Sequence, residues 1–320
     1  VQNRPSTQEL LRSMDILDLP SLALVPLSTI SSLSTPVPMS LPKSFLGLSP
    51  DGNPLYVVDV STGRDDELIK SLFESAACVT TTTKTRETTN TTILFENTRT
   101  HAPLLVPHEN ELVMYATALS QWKKTHKYCS SCGHPLTPIE GGTCLESKKS
   151  DGGCGTKWWP RQDPSIIVLV TNRDGNKALL AQSPRHPPKF HTAIAGFVEA
   201  GEQMEQAVMR EVYEETGIKV DPESITYLSS QPWPFPRSCM LAFRATADDE
   251  HQQINIDKNE LTNAHWFDKE HVRLATKVRG ALMKKDVAET VLKDHPDLPV
   301  LVPPIGVVAR TLIDDWLDDL

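Results

Sequence analysis

The sequence predicts an α/β (α+β) protein in which a sheet lies between helices and is preceded by a cysteine-rich segment. Short apolar runs such as residues 165–170 (SIIVLV) are typical of buried strands, and they alternate with stretches whose apolar residues recur at helical spacing. The chain has 320 residues, 39% of them hydrophobic, which is enough for about two domains with their own cores. We place boundaries near residues 125 and 158, which gives the segments 1–125, 126–158 and 159–320.

The N-terminal segment, residues 1–125, predicts a small α/β domain. Residues 55–60 (LYVVDV) predict a strand, residues 65–77 a short helix, and the threonine-rich tract 80–92 a loop or an edge hairpin. Residues 109–124 predict a helix, because Leu112, Tyr115, Leu119 and Trp122 recur at helical spacing.

The C-terminal segment predicts strands interleaved with two helices. Residues 165–170 and 177–182 predict two strands joined by a turn at Asp174-Gly175. Residues 193–198 predict a third strand, and residues 203–216 predict a helix that ends at Gly217. Further strands are expected at 225–229, 238–245 and 264–267, and a last helix at 307–320. This alternation favours a sandwich in which the sheet lies between helices.

The charge balance excludes some function classes. Lys and Arg number 32 against 41 Asp and Glu, for a net charge of −9. This argues against a protein that coats nucleic acid or an anionic membrane, because both need a basic surface. No apolar run approaches the roughly 18 to 20 residues of a membrane span, so we expect no membrane contact.

Four cysteines, Cys129, Cys132, Cys144 and Cys154, fall within 26 residues. Disulfide frameworks usually staple small secreted domains, and this chain is much larger, so a metal site in an intracellular protein is favoured. Four thiolates suit a structural, tetrahedral Zn²⁺ site. Nine residues (LESKKSDGG) separate Cys144 from Cys154, which makes Cys154 a weaker candidate than Cys129 or Cys132 and leaves His134 as the spare candidate.

A predicted helix carries three carboxylates on one face. Glu211, Glu214 and Glu215 are related as i, i+3 and i+4, and like charges at this spacing repel. A hard divalent cation would remove the repulsion, because it prefers oxygen ligands. Arg210 lies four residues before Glu214 and can pair with it. The alternative is a solvated acidic helix surface.

The segment around these carboxylates, residues 196–218 (GFVEAGEQMEQAVMREVYEETGI), resembles the Nudix box of pyrophosphohydrolases at all nine specified positions. The resemblance implies a loop–helix–loop that holds Mg²⁺ or Mn²⁺ against a pyrophosphate. It implies Glu211 and Glu215 as primary metal ligands, Glu214 as a further ligand or water-orienting base, and Arg210 as their positioning partner. The same comparison adds two metal ligands, the carbonyl of Ala195 and the distal carboxylate of Glu260.

The proline-rich segment 230–236 (SQPWPFP) resembles the signature of the NADH pyrophosphatase branch of the Nudix hydrolases. Three prolines in five residues exclude a central strand and make the segment stiff. The alternative is a rigid packing loop with buried aromatic rings. The resemblance implies a run of substrate-binding residues: Gln231, Pro232, Trp233, Pro234, Phe235, Pro236, Arg237 and Ser238. This branch also carries a zinc ribbon just before its Nudix domain, as the four cysteines suggest here.

Two aromatic residues are candidates for stacking on a nicotinamide ring. Residues 158–164 (WWPRQDP) resemble the branch's join between ribbon and catalytic domain. The resemblance implies that Trp159 and Phe197 sandwich the ring, as flat rings stack well. Core packing is the alternative for Phe197. The backbone at Ala309 matches a further substrate contact.

The resemblance implies metal-dependent hydrolysis of the pyrophosphate bond of NADH and NAD⁺, giving NMNH or NMN and AMP, and removal of NAD caps from RNA. Lysines cluster around the cysteines and could hold an RNA 5′ end, or form a solvated surface: Lys123, Lys124, Lys127, Lys148 and Lys149. Two alternatives remain open, a non-catalytic zinc-ribbon/Nudix binding module and a Nudix hydrolase for another nucleoside diphosphate derivative such as ADP-ribose.

Partners and location follow from the same resemblance. It implies a small dinucleotide substrate and a homodimer, with residues 1–125 as the candidate dimerisation region. We expect a cytoplasmic or peroxisomal protein. The terminal residues 316–320 (WLDDL) carry no Ser-Lys-Leu-type address.

Overall fold

A computed structural model describes residues 43–48, 54–58, 81–85, 88–92, 98–248, 252–278 and 283–319. The chain forms two compact units, one of residues 1–98 and 104–160 and the other of residues 99–103 and 161–320. The helix predicted at 65–77 lies outside the described residues.

The first unit contains two strand pairs and one long helix. Strand β1 (Lys43–Leu48) pairs antiparallel with β2 (Pro54–Val58), and β3 (Thr81–Thr85) with β4 (Thr88–Thr92). The second pair confirms the hairpin interpretation of the threonine-rich tract, whereas β1 was not predicted. The short α1 (Thr98–His101) precedes α2 (Pro107–Thr125), which confirms the helix predicted at 109–124.

The cysteine-rich segment folds as a small three-stranded sheet. Strands β5 (Thr137–Ile139), β6 (Cys144–Glu146) and β7 (Lys157–Trp158) pair antiparallel in that order. Leu145 of β6 is buried with Leu119 and Trp122 of α2, and Trp158 packs against them. Because α2 and this sheet share one core, they fall in the same compact unit.

The second unit is built on a six-stranded mixed sheet. Its strands are β8 (Asp163–Thr171), β9 (Lys177–Gln182), β10 (Ile194–Phe197), β11 (Thr226–Trp233), β12 (Ser238–Thr246) and β13 (Asn263–Asp268). The order is β11-β12-β8-β9-β13, with β10 pairing β8. Strands β8 and β12 run parallel, and the other pairs are antiparallel. The predicted strands are therefore present.

Helices cover both faces of this sheet. The described helices are α3 (Met204–Thr216), α4 (Lys269–Ala275), α5 (Lys285–Asp294) and α6 (Val308–Asp318). Successive side chains of a strand face opposite sides, so residues 166, 168 and 170 of β8 pack with α3, whereas Ile167 and Leu169 pack with α6. This confirms the α/β sandwich.

Two features of this unit differ from the prediction. Helices α4 and α5 were not predicted. Strand β11 continues past the expected end at residue 229 to Trp233 and places Pro232 opposite Cys239. The sheet tolerates this proline because β11 is an edge strand. On its open side no neighbouring strand needs a hydrogen bond from the N–H that proline lacks. No helix within the described ranges is long and apolar enough to cross a membrane.

Candidate functional site

The carboxylate helix is held by its ends and by its apolar face. Gln203 caps the start of α3 in a capping box with Gln206, and Gly217 ends the helix in the left-handed conformation, with φ 72°. Val208 and Val212 are fully buried against the sheet. Because these valines fix the apolar face of α3 against the sheet, Glu211 and Glu215 lie at the edge of the core.

Arg210 connects several residues of the segment 196–218. Its Nε and Nη2 donate to the two carboxylate oxygens of Glu202 at 2.7 and 2.8 Å. Its Nη1 donates to Glu211 at 2.8 Å and to Glu214 at 3.0 Å, and Nη2 donates to the carbonyl of Phe197 at 2.8 Å. The predicted pair with Glu214 is present, but the bidentate partner is Glu202. Its hydrogen bonds with Arg210 lower the pKa of Glu202 to about 2.

Glu215 is a buried acid without a cationic partner among the contacts that set its pKa. Burial raises the pKa of Glu215 to about 8, and the charges of Glu260, Glu211 and Asp257 contribute to the rise. The backbone N–H of Asp257 donates to the Glu215 carbonyl at 3.0 Å, which fixes the turn that carries Glu260 beside the end of α3. At neutral pH this carboxyl keeps a proton unless positive charge arrives.

Glu211 lies against the glycine that begins the box. Its carboxylate occupies the space where a Cβ on Gly196 would stand, so this contact requires glycine. Burial raises the pKa of Glu211, and the hydrogen bond from Arg210 opposes the rise. Ala195 precedes Gly196 in β10, opposite Ile167, so its backbone lies next to the Glu211 carboxylate in the fold.

The chemistry of this donor set fits a hard divalent cation. Glu211 and Glu215 are 9% and 7% exposed, and burial raises the pKa of both, with Arg210 opposing the rise at Glu211 but not at Glu215. Oxygen ligands and uncompensated negative charge are what Mg²⁺ and Mn²⁺ select. Within the described ranges, however, these carboxylates do not form a group of three with ligand atoms all within 4.8 Å. Arg210 instead holds Glu211 and Glu214.

The two predicted stacking residues are both on the surface. Phe197 is 54% exposed, which makes the core-packing alternative for this residue wrong, and Trp159 is 56% exposed. Phe197 follows Gly196 in β10, and its carbonyl accepts from Arg210. Trp159 belongs to the other compact unit, so its role stays a prediction.

The proline-rich segment is fastened to its own unit. Trp233 and Phe235 meet edge to face with ring centroids 5.2 Å apart, and Trp233 also packs against the core. The Gln231 side chain donates to the Gly306 carbonyl and accepts from the Val308 N–H, both at 2.8 Å. These contacts agree with a rigid packing loop, which does not conflict with substrate contact by the remaining surface.

The other predicted substrate residues differ in exposure. Pro232, Pro236 and Arg237 are exposed, and Arg237 Nε donates to Asp163 at 2.5 Å. Three others are buried: Pro234, Ser238 and Ala309. The Ala309 side chain lies in the core, so only its backbone at the start of α6 could reach a substrate.

Three of the four candidate zinc ligands come together. The sulfur atoms of Cys129, Cys132 and Cys154 all lie within 4.8 Å of one another. Cys144 is not part of this group; it is fully buried in β6, with its Sγ directed at the Leu145 carbonyl 3.6 Å away. The expectation that all four cysteines form one site is therefore wrong for Cys144. Strand pairing keeps Cys144 in β6, away from the group, whereas the loop 147–153 brings Cys154 to Cys129 and Cys132.

Cys154, which had weaker sequence support than Cys129 or Cys132, lies in an environment that favours the thiolate. Hydrogen bonds from the Thr156 hydroxyl and backbone lower the pKa of Cys154 to about 6. A metal ligand must be the thiolate, so this environment suits one. His134, the proposed substitute, lies beside Gly152, and no contact joins it to the three sulfur atoms in the described part of the chain.

Sequence reasoning missed two residues of the carboxylate site. Glu202 is a specified position of the box, six residues after Gly196, so the motif already contained the signal for the partner of Arg210. Asp257 is separated from Glu215 by 42 positions and only the fold brings them together.

Part of the chain is similar in sequence to known proteins. Residues 161–285 match the family model described as NUDIX domain. The chain is 41% identical over 197 residues to the NAD-capped RNA hydrolase NudC of Escherichia coli O1:K1 / APEC, and 40% identical over 197 residues to that of Salmonella paratyphi C. Each alignment covers 62% of this chain and spans 62% of the length of the curated relative.

Part of the chain also resembles solved structures. A NUDIX hydrolase from Nitrosomonas europaea superimposes with a TM-score of 0.36 at 23% identity, covering 55% of this chain and 97% of that one. A NUDIX-family hydrolase from Clostridium perfringens gives a TM-score of 0.32 at 16% identity, covering 48% and 97%.

Proposed function

We propose that this chain, whose residues 161–285 match the family model described as NUDIX domain, is a divalent-metal-dependent hydrolase of the pyrophosphate bond in NADH and NAD⁺. The products would be AMP and NMNH or NMN. We include in the proposal the 5′ NAD cap of RNA as a substrate, because the curated relatives are named for that activity.

One observation carries the proposal: the buried pair Glu211 and Glu215 on a helix of the box, with Glu260 close enough to raise the pKa of both. Arg210 pairs with Glu211, but burying Glu215 beside Glu211 and Glu260 would cost a purely structural helix free energy, because no cation is among the groups that set the pKa of Glu215. A cation brought by a pyrophosphate substrate would offset that cost and tie metal binding to substrate binding.

The residues have separable roles in this proposal. Glu211, Glu215, Glu260 and the Ala195 carbonyl would hold Mg²⁺ or Mn²⁺. When bound, such a cation neutralises the charge on a pyrophosphate and lowers the pKa of water. Arg210 holds the Glu211 carboxylate in place through a 2.8 Å hydrogen bond and is itself fixed by Glu202.

Glu214 is the best placed residue to accept a proton from the attacking water. It is 58% exposed, and its side chain shares a 3.0 Å hydrogen bond with Arg210, so it can reach solvent and turn toward a substrate. Glu215 is a poorer base, because burial leaves it protonated when no cation is present.

The exposed ring of Phe197 supports recognition of a flat base. Phe197 directly follows Gly196 in β10, and its carbonyl accepts a hydrogen bond from Arg210, so a ring stacked on Phe197 would lie beside the segment that holds the carboxylates. The lysines near the cysteine group would support a bound RNA 5′ end through phosphate contacts. ADP-ribose shares the pyrophosphate but lacks the nicotinamide ring, which makes it the discriminating competitor.

The proposal also includes zinc, location and assembly. The three clustered thiols would hold Zn²⁺ and thereby stabilise a segment with little core of its own. We propose that the protein is intracellular, because such thiols stay reduced there, and that it forms a homodimer. Size-exclusion chromatography with light scattering tests the last point.

The experiment is product analysis by chromatography. Purified protein with Mg²⁺ or Mn²⁺ meets NADH, NAD⁺, ADP-ribose and NAD-capped RNA at equal concentrations. Glu215→Gln is the test variant, and Glu205→Gln is the matched control, because Glu205 lies on the same helix, exposed and outside the cluster. We expect AMP from NADH, a loss of more than about 100-fold in Glu215→Gln, and no change in the control.

The outcomes separate the alternatives. Cleavage of ADP-ribose ahead of both dinucleotides would replace the NAD(H) assignment with that of another nucleoside diphosphate hydrolase. No cleavage by a folded, zinc-loaded protein would leave the binding-module function. Full activity in Glu215→Gln would refute the role given to the carboxylates.

A further inference from the structure

A tetrahedral zinc site needs four ligands, and the three clustered thiols supply three of them. The hydroxyl of a buried serine, Ser147, lies beside this group. Ser147 is fully buried. Its Oγ lies 3.2 Å from Cys132 Sγ and accepts the Cys154 N–H at 3.3 Å. We infer that Ser147, and not Cys144, occupies the fourth ligand position of the zinc site in this chain.

Two loops with matching hydrogen bonds carry this inference. In the first, the Cys129 N–H donates to the His134 carbonyl and the Gly133 N–H donates to the Cys129 carbonyl, both at 2.8 Å. Cys132, the second thiol of this loop, comes directly before Gly133. The loop therefore presents its two thiols at defined positions, one at its start and one just before the glycine.

The second loop repeats the pattern with a serine at its start. The Ser147 N–H donates to the Thr156 carbonyl at 3.0 Å, and the Gly155 N–H donates to the Ser147 carbonyl at 2.6 Å. Cys154 precedes Gly155, and Gly133 and Gly155 both have positive φ, 74° and 82°. Ser147 thus holds the place in the second loop that Cys129 holds in the first.

The residues between the two ends explain the unusual spacing. The first loop has two residues between its ligand positions, and the second has six, 148–153. The extra residues fold over Ser147: the Gly153 N–H donates to the Lys148 carbonyl at 2.8 Å, and a Cβ on Gly153 would overlap the Ser147 hydroxyl. The insertion therefore closes the loop without moving its ends.

A site with three thiolates and one hydroxyl or water differs from four thiolates in two ways. Zinc is held less tightly, because an oxygen donor replaces a soft thiolate, and the fourth position can be exchanged. Cys144 has no part in either property. This inference rests on the proposed zinc site and is independent of the proposed hydrolysis.

The test counts thiolates around a bound ion in the full-length protein. Co²⁺ replaces Zn²⁺, and the near-ultraviolet absorbance of thiolate–Co²⁺ bonds scales with their number. Four variants are compared with the native chain: Cys144→Ser, Ser147→Cys, Cys154→Ser and Thr156→Val. The last is the matched hydroxyl control, because the Thr156 Oγ1 lies 3.0 Å from Cys154 Sγ. Zinc content and zinc release to a chelator are measured in parallel.

We expect native, Cys144→Ser and Thr156→Val proteins to bind one ion with equal absorbance. Ser147→Cys should raise the absorbance by about one third and release zinc about tenfold more slowly. Cys154→Ser should lose the thiolate–Co²⁺ absorbance and the bound zinc. A loss of absorbance or zinc in Cys144→Ser would overturn the inference even if Ser147→Cys fails to fold. A native protein that binds no metal would overturn the zinc proposal as well, and activity toward NADH would still be judged separately.

Discussion

Removal of Arg210 should destabilise the second unit by about 3 kcal/mol in the absence of divalent metal. The guanidinium is 25% exposed, and its partners Glu202 and Glu211 are 13% and 12% exposed. A hydrogen bond to a charged group is worth roughly 1.5 to 3 kcal/mol when water is excluded. We assign a contribution to the free energy of unfolding of about 2 kcal/mol to the bidentate pair with Glu202, about 1 kcal/mol to the pair with Glu211, and about 0 kcal/mol to the pair with the exposed Glu214.

The assay is urea unfolding of Arg210→Ala with a chelator present, followed by tryptophan fluorescence and circular dichroism. Lys285→Ala is the control, because its 3.9 Å pair with Glu289 is on the surface of the same unit and should be worth under about 0.5 kcal/mol. Arg210→Lys should recover part of the loss, since a single ammonium cannot make the fork-shaped contact with Glu202.

A pH series tests the cause of this loss. The pKa of Glu202 is about 2 in the folded protein, below its ordinary 4.5, so its contribution is full above pH 4.5 and is lost as the pH falls toward 2. The difference between native protein and Arg210→Ala should therefore shrink below pH 4.5. A difference under about 1 kcal/mol at pH 7, or one that does not change with acid, would refute the reasoning.

Three further predictions concern single residues. Gly196→Ala should fold but lose most of its Mn²⁺ affinity by calorimetry, because a Cβ displaces the Glu211 carboxylate; unchanged affinity would argue against Glu211 as a ligand. Burial lowers the pKa of His186 from 6.5 to about 4, so the stability that its neutral form contributes is full above pH 6.5 and falls by roughly 3 kcal/mol toward pH 4. His186→Asn, which can still accept the Ser183 N–H, should lack that decline in denaturant titrations at several pH values. Gln231→Leu should unfold about 2 kcal/mol more easily, since two 2.8 Å hydrogen bonds are lost; an equal denaturation midpoint would contradict this.

Much of the second unit could be predicted from local patterns. The apolar run of β8, the Asp174-Gly175 turn and the helix ending at Gly217 are set by neighbours in sequence, and all are present. Helix α5 was missed although Val287, Val291 and Leu292 have helical spacing, so that signal was available. The seven residues of α4 are too few to show a period, and contacts with the core decide its structure.

The candidate site divides in the same way. Spacing alone predicts that Glu211 and Glu215 share a helix face, because the α-helix repeats every 3.6 residues. Spacing alone does not predict that Arg210 makes its bidentate contact with Glu202, because this contact depends on the path of the loop between β10 and α3.

The cysteine group shows most clearly what sequence and tertiary structure each determine. Composition and clustering predict a thiolate metal site, because cysteines this close in a chain of this size are seldom a disulfide framework. Which thiols meet is decided by strand pairing and loop closure: β6 retains Cys144, and the hydrogen bonds of the 147–156 loop bring Cys154 to Cys129 and Cys132. Sequence separation does not report distance once a loop closes on itself, so the ligand set is a property of the fold.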